Sequence, residues 1–132
     1  MRDYRTVLVT HHGYHFQMWL PNQTVAETVP GIGEDAYGGG KRFPPFPDPI
    51  NGARYWVCYA WPVAWWTTGV RAFCINQRGF VLETRNRSPV PFGGTWVMPM
   101  YYEAFEHPGD MHSPLRVWVA GGPLNVVWTP LL

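Results

Sequence analysis

The chain has 132 residues, enough for one domain with a single core. A formal net charge of +1 gives no pull toward nucleic acid or an anionic membrane surface. Fourteen Gly and fourteen Pro exclude long helices, and no run approaches the roughly 18 apolar residues of a membrane span, so no membrane insertion by the chain as given is expected.

Charged residues make up only 14% of the chain, against about a quarter in ordinary domains. Aromatics reach 17%, including eight Trp. Some of that aromatic area must lie at the surface, where large apolar patches mark interfaces.

In chain order, residues 5–20 read as a strand: a β-branched start (Thr6, Val7, Val9, Thr10) leads into period-two alternation. His12, Tyr14, Phe16, Met18 and Leu20 fall on one face and His11, His15, Gln17 and Trp19 on the other, until Pro21 ends the ladder. Residues 21–53 form a long loop. Its three glycines, Gly38–Gly40, lack the strand and GxxxxGK[ST] spacing of a phosphate cradle. Its FPPFPDP run predicts polyproline II, pinned by Phe43 and Phe46.

Residues 54–85 carry the core meander. Strands Tyr55–Trp61, Val70–Asn76 and Phe80–Thr84 are joined by a turn over Ala64–Gly69 and a tip at Gln77-Arg78-Gly79. A register that opposes Val57 to Ile75, Tyr59 to Phe73, Ile75 to Phe80 and Phe73 to Leu82 assembles one apolar face. The same register sets Cys58 opposite Cys74 on the other face, within reach of a cross-strand disulfide. Two buried free thiols are the alternative. Residues 86–114 are loop, with a short helix expected over Pro99–His107 that would turn Glu103 and Glu106 toward solvent. Residues 115–130 give two C-terminal strands, Leu115–Ala120 and Asn125–Thr129, around a Gly-Gly-Pro turn. The expected fold is one domain over 1–132, β-dominated α+β, an antiparallel meander with long Pro/Gly-rich loops and at most one or two short helices.

Residues able to carry chemistry are few. His11 and His15 on one strand face would stand about 13 Å apart, too far to share a metal, and HHGYH lacks the glutamate of HExxH. With His107 and His112 they are the weak candidates for a metal, and none is assigned. Neither Ser88 nor Ser113 sits in GxSxG. Trp61, Trp65 and Trp66 flank the 62–69 turn, where exposed indoles would stack on sugar rings or on another protein.

Several motifs together resemble the globular C-terminal part of type IV pilin-like (prepilin-type, pseudopilin-like) proteins, as in planctomycete proteins. They are Gly13-Tyr14-His15-Phe16, the strand Trp56–Pro62 (WVCYAWP), the hairpin Thr68–Gly79 (TGVRAFCINQRG) and the ending Trp128-Thr129-Pro130. Members of that family carry an N-terminal cleavage motif and a long hydrophobic helix that forms the filament core; this chain begins Met1-Arg2-Asp3 with neither. The resemblance implies a non-enzymatic, extracytoplasmic headgroup or a component of type II secretion, without cofactor, whose partners are other protein subunits or secretion components. An aromatic carbohydrate-binding module is the alternative, and a metal-dependent enzyme using the scattered histidines the third reading.

Overall fold

A computed structural model describes residues 8–22, 29–34 and 46–131. Among these residues seven strands form one antiparallel sheet: β1 (Val9–His11), β2 (Tyr14–Pro21), β3 (Gly31–Gly33), β4 (Val57–Pro62), β5 (Ala72–Asn76), β6 (Val81–Thr84) and β7 (Thr129–Pro130). The order across the sheet is β1-β2-β4-β5-β6-β7. β3 shares the outer edge of β2 with β1, β1 along Tyr14–Phe16 and β3 along Trp19–Pro21. Among the described residues the only helix is a 3-10 turn at Asn51–Ala53. The helix expected over Pro99–His107 is a series of turns, so the α half of the predicted class is absent from the described residues.

Of the single strand expected over 5–20, residues 5–7 lie outside the described residues and the rest is a hairpin. His12 (φ 50°) and Gly13 (φ 80°) form a two-residue loop between β1 and β2, and such loops need positive φ at both central positions. Glycine takes that conformation freely, and histidine is among the few others enriched there. A Cβ on Gly13 would also lie 2.9 Å from Thr68 Cβ. Gly13→Ala is expected to lower stability by about 1–2 kcal/mol, read as a fall in the urea midpoint at unchanged m-value.

Both pairings of the meander differ from the expected register by one residue. Tyr59 faces Cys74 and Cys58 faces Ile75; beyond β5, Cys74 faces Leu82 and Ile75 faces Val81. The cause at the second turn is local. Gly79 takes φ 83° and donates to Asn76 O (2.9 Å), which adds a residue to the expected two-residue tip. Phe80 is thereby left outside the sheet and 72% exposed. Because side chains alternate, a one-residue shift exchanges the faces. Phe73 and Ile75 leave the expected core with Phe80, Ala72 and Cys74 of β5 replace them, and Val57, Tyr59 and Leu82 keep their places in it. Cys58 and Cys74 are free and lie on opposite faces, so the cross-strand disulfide does not form.

Among the described residues the core lies on one face of the sheet. Trp19, Val57, Tyr59, Trp61, Cys74 and Leu82 point into it, and it is roofed by irregular chain bearing Phe92, Ala104, Phe105, Met111, Val126 and Trp128. A roof without helices or strands must satisfy its backbone by other means. Tyr59 Oη donates to Tyr101 O (3.0 Å) and accepts from Ala104 N–H (3.1 Å). Trp61 Nε1 donates to Gly94 O (2.8 Å). Arg116, itself buried, donates to five carbonyls: Val119, Phe105, Glu103, Gly121 and Val126. The Gly-Gly turn is shaped by this clamp, since a Cβ on Gly121 would sit 2.7 Å from Arg116 Nε. β7 pairs with β6 at the sheet edge, and of the expected strand Leu115–Ala120 only Leu115 makes a bridge, to Phe105. Of the loop expected over 21–53, Phe46 is exposed rather than pinned, while Phe43 and Gly38–Gly40 lie outside the described residues.

Candidate functional site

The face of the sheet opposite the core carries a broad hollow. Its residues follow from the observed register. Across the strands one row runs Val9, Phe16, Ala60, Phe73, Glu83, and the next Met18, Cys58, Ile75, Val81. The central strand β4 thus contributes two small side chains, Cys58 and Ala60, between large ones on β2 and β5. The result is a trough of about 590 Å³, apolar along its floor and walls. His11 and His12 close one end, their rings 3.9 Å apart. Tyr14 forms part of the wall, its Oη donating to Arg71 O (2.9 Å) and its ring 6.0 Å from Phe73. Beyond Phe73 the apolar surface ends at the Arg71–Glu83 ion pair (3.0 Å).

Cys58 lines the trough, and burial, with the charge of Glu34, pushes its thiol up to about 11. It stays protonated and acts as a small apolar side chain, not a nucleophile. Cys74 is pushed higher still, first by burial.

The tryptophans singled out from sequence separate. Trp61 is fully buried and belongs to the core, so it is no part of a ligand surface. Trp65 is partly exposed but tied down, its Nε1 donating to Asn86 O (2.8 Å). Trp66 is 60% exposed, in the left-handed region at φ 75°, with the Arg87 guanidinium 5.2 Å from its ring centre. The Trp65 and Trp66 rings are tilted by 55°, so the pair makes no flat platform.

The histidines are not gathered either. His15 pairs with Thr10 and its Nδ1 lies 2.8 Å from Thr10 Oγ1; burial lowers its pKa. His112 stacks on Tyr55 (4.1 Å), and His107 takes part in the Ser113 turn through its backbone. Among the described residues no three His, Cys, Asp or Glu side chains converge to hold a metal. No described helix is long and apolar enough to cross a membrane.

Two groups of interest escaped the sequence reading. Glu103, expected to face solvent, is buried, with Oε2 lacking any hydrogen-bond partner; burial pushes its carboxyl up to about 7, against the opposing pull of Arg116. It opens into none of the hollows described here, so it belongs to the packing of the roof. Trp118, 68% exposed, stands with Arg71 and Arg85 around a separate hollow. Nothing local in the sequence brings residues 71, 85 and 118 together; the β5–β6 pairing and the roof do.

Comparisons of the chain with protein-family models, with curated proteins and with solved structures find no match.

Proposed function

We propose that this is a non-enzymatic interaction domain that docks an apolar helix of a partner subunit in the trough on the open face of its sheet. The observation that carries this reading is the trough itself: Cys58 and Ala60 between Phe16 and Phe73, with no charged side chain on the floor. Three strand spacings separate β2 from β6, about 14 Å, which accommodates one helix of about 10–12 Å diameter. An open apolar sheet face of this kind is an interaction surface by default. The resemblance of the Trp56–Pro62 and Thr68–Gly79 motifs to pilin-like headgroups points the same way, to a structural or secretion-associated role outside the cytoplasm. The groups that would have to act in catalysis are unfavourably placed. Cys58 is held protonated, and His15, His107 and His112 are each engaged elsewhere, apart from the His11–His12 pair.

The test is direct. An apolar-faced helical peptide of about 20 residues, long enough to be helical when bound, is titrated against the intact domain by calorimetry. Binding is expected, and Ala60→Trp, which fills the trough floor, is expected to weaken it by about a hundredfold (roughly 3 kcal/mol) with little change in melting temperature. Undiminished peptide binding by the Ala60→Trp protein would sink the proposal, as would no binding by the wild type.

A further inference from the structure

A second surface, independent of the trough, has the chemistry of an anion site. Its base is the tripeptide Arg85-Asn86-Arg87, which leaves the end of β6. Asn86 is buried in the left-handed conformation (φ 57°), its Nδ2 donating to Val70 O and Phe92 O (2.8 Å each) and its Oδ1 accepting from Phe92 N–H (2.7 Å). With Asn86 held inward, Arg85 and Arg87 are both exposed. Arg71, from the turn before β5, completes a set of three guanidiniums around a hollow of about 230 Å³. Arg85 also borders two adjoining hollows, of about 210 and 420 Å³, the larger walled by Trp118.

Three guanidiniums against the one carboxylate of Glu83 leave a local charge of +2, larger than the +1 of the whole chain. Among the described residues Arg85 has neither an ion pair nor a hydrogen-bonded side-chain partner. The strip is flanked by indoles, Trp66 under Arg87 at one side and Trp118 at the other. Both are mostly exposed and both sit at positive φ, 75° and 69°. A bulky side chain held there costs about 1–3 kcal/mol.

We propose that this strip binds an anionic saccharide, a chain of sugars bearing carboxylate or sulfate groups. Guanidinium forks match both anions, and exposed indoles present flat faces for sugar rings. Glu83, Thr84 and Thr129 in the same hollow supply hydrogen-bonding groups for hydroxyls. A carboxylate in the middle of the strip and three cations in all suit a hydroxyl-rich ligand better than a phosphate backbone, which is gripped through many cationic contacts.

The intact domain is titrated with dextran sulfate, polygalacturonate, neutral dextran and a thymidine oligonucleotide, followed by tryptophan fluorescence and calorimetry. At least one charged saccharide is expected to bind while neutral dextran does not, the two anionic probes separating sulfate from carboxylate. Arg85→Ala and Trp118→Ala are each expected to weaken binding about tenfold or more. Both side chains are exposed, so the melting temperature should hold and report that the fold is intact. Saccharide binding unaffected by Arg85→Ala, equal binding of neutral dextran, or tighter binding of the oligonucleotide than of either charged saccharide would each overturn the proposal. None of these outcomes bears on the trough, which lies on the other side of the Arg71–Glu83 pair.

Discussion

Arg116→Leu is expected to destabilise the protein by about 4 kcal/mol or more, a large share of the stability of a domain this size. The guanidinium is the common partner of carbonyls at 103, 105, 119, 121 and 126, with donor–acceptor distances of 2.8–3.0 Å. Those carbonyls belong to three stretches of irregular roof, 103–105, 119–121 and 126, and a leucine would strand them together. An unsatisfied buried polar group costs about 1–3 kcal/mol, and water entering the gap would recover only part of the loss. Arg116→Lys should recover little, because one ammonium has three donors and no planar fork. Urea denaturation checks the magnitude. The roof carries Phe105, Met111, Val126 and Trp128, so near-ultraviolet circular dichroism should lose intensity even where the sheet survives.

The second large effect is a pH dependence centred on Glu103. Its carboxyl is raised from an ordinary value of 4.5 to about 7, by burial first, with Arg116 opposing. The folded state therefore holds this proton more tightly than the unfolded chain. Below about pH 4.5 the group is neutral in both states and its favourable contribution is complete. As pH rises from 4.5 to 7 that contribution is lost, and above 7 the loss is constant. Glu103→Gln removes the titration while keeping the size and polarity of the side chain. The variant should match the wild type near pH 4.5 and exceed it by about 1–3 kcal/mol at pH 8. Urea midpoints at the two pH values, compared between the proteins, isolate this group from the other carboxylates. A difference independent of pH would show that Glu103 is not the titrating group. The Arg116→Leu and Glu103→Gln effects should also fail to add, since removing the guanidinium leaves the Glu103 carboxylate less well compensated.

Much of the sheet was legible. The alternation in 14–20, the Pro21 stop and the turns at 64–69 and 77–79 follow from local chemistry, whereas the strand expected over Asn125–Thr129 is cut to Thr129–Pro130, with Pro130 inside it. The register was not, and residues 56–61 and 72–75 show why. Trp56, Cys58 and Ala60 are as apolar as Val57, Tyr59 and Trp61, and Phe73 and Ile75 are as apolar as Ala72 and Cys74. With no polar face to mark the outside, a one-residue shift carries no penalty visible in the pattern. The extra residue accommodated by the positive φ of Gly79 decides it, together with a roof that Trp61 and Tyr59 must reach.

The candidate sites divide in the same way. Trp66 lies exposed on the turn that the sequence picks out, but its cationic neighbour Arg87 and its counterpart, Trp118, are 21 and 52 positions further along the chain. The trough is hidden in the sequence because the expected register places Phe73 and Ile75, two of its walls, in the core. Composition and periodicity alone determined a β-rich chain with few charges, broken loops and surplus aromatic surface. Tertiary structure alone decided which of two equally apolar faces is covered, since that depends on where the irregular roof finds hydrogen-bond partners. It also decided that Arg116 lies inside and Arg71, Arg85 and Arg87 outside. Arginine is buried only where enough acceptors converge on it, and convergence of carbonyls from three stretches of chain is a property of the folded molecule.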